Sequence, residues 1–448
     1  MNRRVLKLAL PNIVTNVTVP LLGMVDMAIV GHLSSAHIGA ITIGASIFNL
    51  IYWNFGFLRM GTSGFTAQAY GAGRWSEALA TLVRALAIAF LIALLLNALQ
   101  WPISRLVPVI FKGSGQVIGM ALTYFFVRIW AAPATLGLYA IKGWFIGMQD
   151  SRTPMWIAIA LNCVNIACSL LFVLVLRWDI AGVALGTVVA QYSGLLLGVL
   201  SLRRRMRIDP HLSAMRVDMD FVRRSLRWSE MRLFFKVNGD IFLRTVCLAT
   251  VFTFITAASG RIGDLELEVD ALLLQFFTLF SYIMDGFAYA GESLVGRYIG
   301  ARDESSLRKS VRLLLVWGLA LTAAFTLLYA LFSTQFLRVF TSDAGLVESA
   351  GSYIGWVLAI PACGFAAFLL DGVFVGATAS RTMRNSMFVA TAAFFAVYFG
   401  LKAVLAWQGA LDARMWNNTL WLAFMVYLVL RGVLQGVKIK SDIYTRAE

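Results

Sequence analysis

Charged side chains are what this chain has least of. Asp, Glu, Lys and Arg make up 14% of its 448 residues and apolar types 60%, a balance that excludes a large soluble globule and describes an all-α polytopic membrane protein. Histidine is scarce too. His32, His37 and His211 are the full set, placed near helix ends or in a polar loop, which suits neither a metal cluster nor a hydrolytic triad. The four cysteines, Cys163, Cys168, Cys247 and Cys363, all lie inside apolar runs, so neither a disulfide framework nor a metal site is indicated and packing is their expected role. No phosphate-cradling GxxxxGK[ST] occurs, so ATP is not the expected energy source, and no enzyme motif or cofactor site is found. The basic start Met1-Asn-Arg-Arg leads into a long apolar helix without the short core and small-residue cleavage site of a signal peptide, so the first span is expected to stay.

Apolar runs long enough to cross a core of about 30 Å, roughly 20 residues each, occur twelve times. They fall near 8–33, 40–70, 78–101, 117–146, 155–176, 180–202, 231–258, 270–298, 313–333, 350–376, 386–407 and 415–435. The longest read as tilted helices that project past the bilayer or break inside it. Placing the N-terminus in the cytoplasm puts most of the 38 Lys and Arg on that side, while only Arg105, Lys112, Arg177, Arg261, Arg338 and Arg414 fall on the other. Both termini are therefore expected inside. The loop RRRMRIDPHLSAMRVDMDFVRRSLR carries much of the +15 net charge, so a basic rim beside anionic lipid accounts for the high pI and a nucleic-acid partner is not needed. The 13 Trp, 32 Phe and 16 Met are expected to face lipid or fill the core, with Met24, Met27, Phe48 and Trp53 as candidates to line a chamber for flat apolar cations.

The chain repeats itself. KGWFIGMQDSRTPM at 142–155 matches DGVFVGATASRTMR at 371–384 in Gly143/Gly372, Phe145/Phe374, Gly147/Gly376, Ser151/Ser380, Arg152/Arg381 and Thr153/Thr382, always 229 positions apart. Gly71/Gly300 and Ala72/Ala301 keep the same offset. The expected plan is two six-helix lobes related by pseudo-two-fold symmetry, a construction used by alternating-access transporters: an N-terminal lobe 1–202, a basic cytoplasmic linker 203–230, and a C-terminal lobe 231–448 with its tail.

Within the first span, Asp26 is a carboxylate inside an apolar helix. Inserting one there costs about 2.5 to 3.5 kcal/mol, so such a residue is usually turned inward and used. Pro20 cannot donate to the Asn16 carbonyl and predisposes the helix to bend. Tyr124 and Thr187 lie at a depth similar to Asp26 and Asn165 slightly deeper, while Asn162, Asn165 and Ser169 share one helical face, as do Thr187 and Gln191. A ring of amides and hydroxyls around one acid solvates either its ionised or its neutral form; the same groups also serve as ordinary interhelical hydrogen bonds. The second lobe carries its own acids as an alternative coupling set, Asp285 and Glu292, seven apart on one helix face, and Asp371 deep in the tenth span. Embedded Lys236, Arg244, Arg297 and Lys402 are available to pair with them, with Lys236, Asp240 and Arg244 spaced by fours as a ladder, and pairing makes those acids structural. Arg59, Arg128 and Lys142 are expected to be satisfied by carbonyls or by each other.

The segments VPLLGMVDMAIVGHL, FLRMGTSGFTAQAYGAG, MDGFAYAGESLVGRYIGARD and LLDGVFVGATASRTMRNSM together resemble the multidrug and toxic compound extrusion (MATE) family, within it the DinF-like branch. The resemblance implies a twelve-helix, monomeric exporter in a bacterial inner membrane that expels small organic, often cationic, compounds in exchange for H⁺ or Na⁺. It also implies that Asp26, Tyr124, Asn165 and Thr187 form the coupling-ion network, and that Asp371 matches an acid used for coupling in other branches. Ser169 stands where some members carry a second acid, which tilts the expectation towards H⁺ and leaves at most a weak Na⁺ site at Asp26. The alternative is a flippase for lipid-linked or polyprenyl-linked glycan, which shares the two-lobed plan and would favour a basic central cavity.

Overall fold

The apolar runs become long helices. The computed structural model describes residues 1–31, 35–111, 113–409 and 412–447; His32 and Lys112 lie outside the described residues, as does the Met24 side chain. The first helix, α1 (Asn2–Gly31), runs unbroken through Pro11 and Pro20. Eleven more helices among the described residues are long and apolar enough to cross a membrane: α2 (Ala36–Gly71), α3 (Trp75–Ala98), α4 (Gly115–Gly147), α5 (Arg152–Val175), α6 (Asp179–Ile208), α7 (Trp228–Ile262), α8 (Asp264–Gly300), α9 (Glu304–Phe340), α10 (Ile354–Gly376), α11 (Ser380–Trp407) and α12 (Ala413–Arg446). With α1 they make twelve. Their outer surfaces suit hydrocarbon: on α3, Phe90, Leu91, Leu94 and Leu95 are all more than half exposed, where a soluble helix would present polar groups.

Several helices break where the sequence forces them to. In α4 a single 3₁₀ turn at Ile129–Ala131 precedes Pro133, whose ring crowds the carbonyl four residues back and which has no N–H to offer it. At the end of α5, Leu171–Val175 widens to a π turn, a feature concentrated at functional sites. The next residue to carry a site side chain upstream of it is Ser169.

Two compact units emerge, Leu10–Asn238 and Met1–Ala9 with Gly239–Glu448. In the first, the segment expected as a linker packs onto the helices: Leu212 is buried in a cluster with Leu79, Leu82 and Trp144, His211 stacks on Trp75 at 4.8 Å, and Arg84 bridges Glu77 (2.7 Å) and Glu230 (3.1 Å). In the second unit the chain start is tied down by Arg4, which donates to the Tyr298 hydroxyl at 3.2 Å.

Each unit repeats the other's local geometry. Gly73 and Arg302, 229 residues apart, share left-handed backbone (φ +68° and +53°), and so do Gln149 and Thr378 (+62° and +51°). Three of these four carry a Cβ, so the conformation is imposed by the helix-ending hydrogen bonds, Asp150 N–H to Phe145 C=O and Ala379 N–H to Phe374 C=O, both 2.9 Å. The helix contacts are repeated as well. A side chain at Gly143 would strike the Arg59 carbonyl, and one at Gly372 the Ala288 carbonyl, the same helix crossing built twice at the same offset.

Candidate cation-coupling site

In the first unit Asp26 is buried about one and a half turns before the end of α1. The Ser169 hydroxyl on α5 faces its carboxylate at 3.4 Å, and the Thr187 hydroxyl on α6 stands beside it, here donating to the Val183 carbonyl at 3.3 Å. Asn165, one turn from Ser169, donates to Thr187 at 3.1 Å. The approach of α5 to α6 depends on Gly186, because a Cβ there would meet the Ser169 hydroxyl at 2.5 Å and its backbone N at 3.0 Å. Tyr124 on α4 is buried beside both Asp26 and Thr187. The structure thus brings Asp26, Tyr124, Asn165, Thr187 and Ser169 together. The Oδ1 of Asn165 is buried without a hydrogen-bond partner, an unused acceptor inside the ring.

Asn162 goes elsewhere. Its amide donates to the Thr18 carbonyl at 3.1 Å, two residues before Pro20, so it fastens α5 to α1 near the proline rather than joining the ring around the acid. The expected chamber lining changes too. Met27 and Trp53 are exposed, but Phe48 is fully buried, because the Arg128 guanidinium lies over its ring at 4.9 Å and Tyr52 and Phe125 stack on it at 5.6 Å.

Arg128 is the member of the site that sequence reasoning set aside. Instead of carbonyls or another cation, it donates to the Tyr124 hydroxyl at 2.5 Å and makes no salt bridge among the described residues; its charge acts on Asp26 across the ring. The signal was present in the spacing, since residues 124 and 128 share a helix face. Lys142 stands near Arg59, a like charge, and no acid pairs with it among the described residues.

The acids of the second unit sit in a different environment. Asp371 is buried and accepts from Arg244, from Arg431 at 2.8 Å and from Gln435 at 2.7 Å. Arg431 is also within electrostatic reach of Asp285 on α8, and Glu292 on the same helix is buried. The expected Lys236–Asp240–Arg244 ladder does not form: Asp240 pairs with Arg384 of α11 at 2.6 Å and accepts from Ser380 at 2.8 Å, while Arg244 turns to Asp371. Two neighbouring helices offered better geometry than one helix could supply along its own face.

A doubled six-helix membrane bundle with a buried carboxylate among neutral donors is the plan of a secondary transporter. The MatE family model matches residues 11–171 and 241–401, and the chain belongs to that family. It is 36% identical over 427 residues, 95% of this chain and 89% of the relative, to DNA damage-inducible protein F of Escherichia coli (strain K12). It is 21% identical over 467 residues, 98% of this chain and 77% of the relative, to human multidrug and toxin extrusion protein 1. A crystal structure of MATE in the bent conformation superposes with a TM-score of 0.84 at 17% identity, covering 100% of this chain and 97% of that one.

Proposed function

We propose that this chain is an H⁺-coupled antiporter that exports small organic, often cationic, compounds, with Asp26 as the acid whose charge is exchanged. The observation that carries the reading is the Asp26 ring itself: a buried carboxylate beside the hydroxyls of Ser169 and Thr187, with no cation in direct contact among the described residues. Hydroxyls donate to an ionised acid and accept from a protonated one, so both forms are tolerated at modest cost. A cationic drug and a proton then compete for one negative charge, and binding of either favours release of the other.

Three further features fit this reading. Ser169 in place of a second acid leaves a single negative charge, too little for a strongly held Na⁺. Arg128 offsets the negative charge of Asp26 and disfavours a second bound cation. Asn162 clamps α1 close to Pro20, so a change of charge at Asp26 can loosen or tighten the half of α1 beyond the proline against α5 and α6. Asp371, held between two guanidiniums, reads as a structural charge. By the distribution of basic residues, both termini face the cytoplasm of a bacterial inner membrane, and the protein works as a monomer.

The test is drug-driven H⁺ release in proteoliposomes, with and without Na⁺. Release that is independent of Na⁺ and lost in Asp26→Asn supports the proposal. Export of a lipid-linked glycan without proton movement would favour the flippase instead.

A further inference from the structure

The second unit holds one more buried carboxylate, and nothing in the coupling scheme uses it. Asp270, near the start of α8, is 2% exposed. One of its oxygens accepts from the Trp421 indole N–H at 2.7 Å and from the Asn417 amide at 2.9 Å, both on α12. The other meets the Ser259 hydroxyl of α7. No lysine or arginine pairs with it among the described residues, in contrast to Asp371 and Asp240 in the same unit. The titratable and charged groups nearby are Glu266 on the same helix and Tyr353, the residue 229 positions after Tyr124, which lies beside Asn417 and near Arg414. The charged side chains at the neighbouring helix ends, Arg261, Asp264, Glu268, Arg338, Asp343, Glu348 and Asp412, are exposed.

Every donor of this cage finds an acceptor in two protonation states. Ser259 has one hydrogen and two acceptors within reach, the Asp270 carboxylate and the Ile255 carbonyl at 2.9 Å. With Asp270 ionised, that hydrogen serves the carboxylate. With a proton on the Asp270 oxygen facing it, Ser259 accepts that proton's hydrogen bond and gives its own hydrogen to Ile255, so no donor is left unused. The Trp421 and Asn417 donors serve the other oxygen in either state, and their N–H groups point positive charge at the place a metal ion would occupy. Asn417 also keeps a fully buried Oδ1 without a partner, as Asn165 does beside Asp26. We propose that Asp270 is a second proton-binding carboxylate of this protein, binding and releasing a proton within the second unit independently of Asp26.

The experiment counts protons on the full chain in detergent and needs no transported compound, so it stands or falls apart from the antiport reading. A pH-indicator dye records uptake as the unbuffered protein is taken from about pH 8 to about pH 5. Asp270→Asn should take up one proton per chain fewer than the wild type, and Asp26→Asn/Asp270→Asn one fewer than Asp26→Asn. Equal uptake with and without Asp270 overturns the proposal. Should Asp270→Asn fail to fold, Trp421→Phe supplies the second reading. The protonated-carboxyl C=O band in the low-pH minus high-pH infrared difference spectrum should move to higher frequency when the indole donor is lost. An absent or unmoved band overturns the proposal as surely.

Discussion

Replacing Asp371 by asparagine should cost stability before it costs transport. Asp371 accepts from Arg244, Arg431 and Gln435, two of them charged partners in a buried site. Hydrogen bonds to a charged group are worth about 1.5 to 3 kcal/mol each, so three amount to roughly 5 to 9 kcal/mol gross. An asparagine oxygen keeps part of this, but it removes the charge that compensates two buried guanidiniums. Losing one side of such a buried network usually costs about 3 to 5 kcal/mol, and that is the expected destabilisation of Asp371→Asn, read as a fall in the melting temperature of the purified protein in detergent. Removing charge in balanced fashion, Asp371→Leu with Arg244→Met, should recover much of the loss, because Arg431 then retains Asp285 in its neighbourhood. A variant Asp371→Asn that melts with the wild type yet no longer transports would refute this reasoning and make Asp371 a titrating coupling acid.

Asp26→Asn should fold normally and reduce drug-driven H⁺ release to the level of protein-free vesicles, since the amide keeps the volume but cannot change charge; Asn165→Ala and Tyr124→Phe should be milder, weakening drug binding about fivefold for one lost hydrogen bond. Drug affinity should rise with pH: the drug binds the ionised acid, raising the pH ionises it, and an affinity unchanged between about pH 6 and about pH 8 would contradict the exchange. A Na⁺ gradient at equal pH on both sides should fail to drive uphill export, and success there would replace H⁺ with Na⁺ as the driver. If bending of α1 at Pro20 is the coupling step, structures at about pH 8 and about pH 5 should differ in α1 beyond Pro20, and Pro20→Ala should slow transport; a superimposable helix together with normal transport by Pro20→Ala would remove the bend from the mechanism.

What the sequence reveals here is whatever depends on spacing within one helix or on the 229-residue offset. The Asp26 neighbourhood was legible because depth along each span and the three-or-four-residue rhythm place Asn165, Ser169 and Thr187 without knowledge of packing. Asn162 shares that rhythm and still leaves the ring, because a backbone carbonyl on α1, at Thr18, lies within its reach. Phe48 reads as a candidate chamber lining, and only the fold shows Arg128 lying over it. Arg244 and Arg431 lie 127 and 60 residues from Asp371, so their choice of partner is set by helix packing alone. Asp270 was passed over because it closes the acidic run DLELEVD, which has the look of a solvated helix start. Its burial comes from the end of α7, 11 residues back, and from α12, 147 to 151 residues on.

The two units keep one backbone plan and have given their buried charges different surroundings. In the first, Asp26 is met by neutral oxygens, and the nearest guanidinium, Arg128, is occupied by Tyr124. In the second, Asp371 is locked between two guanidiniums at the level where Gly372 repeats the close crossing of Gly143. A carboxylate with a fixed cation cannot change charge without stranding that cation, whereas one among hydroxyls and amides can. Asp26 and Asp270, one in each unit, are buried acids with no guanidinium in contact among the described residues, and each lies beside an asparagine whose side-chain oxygen has no partner. The doubled fold therefore preserves a condition for proton exchange in both halves, while the residues that meet it stand at different positions in each.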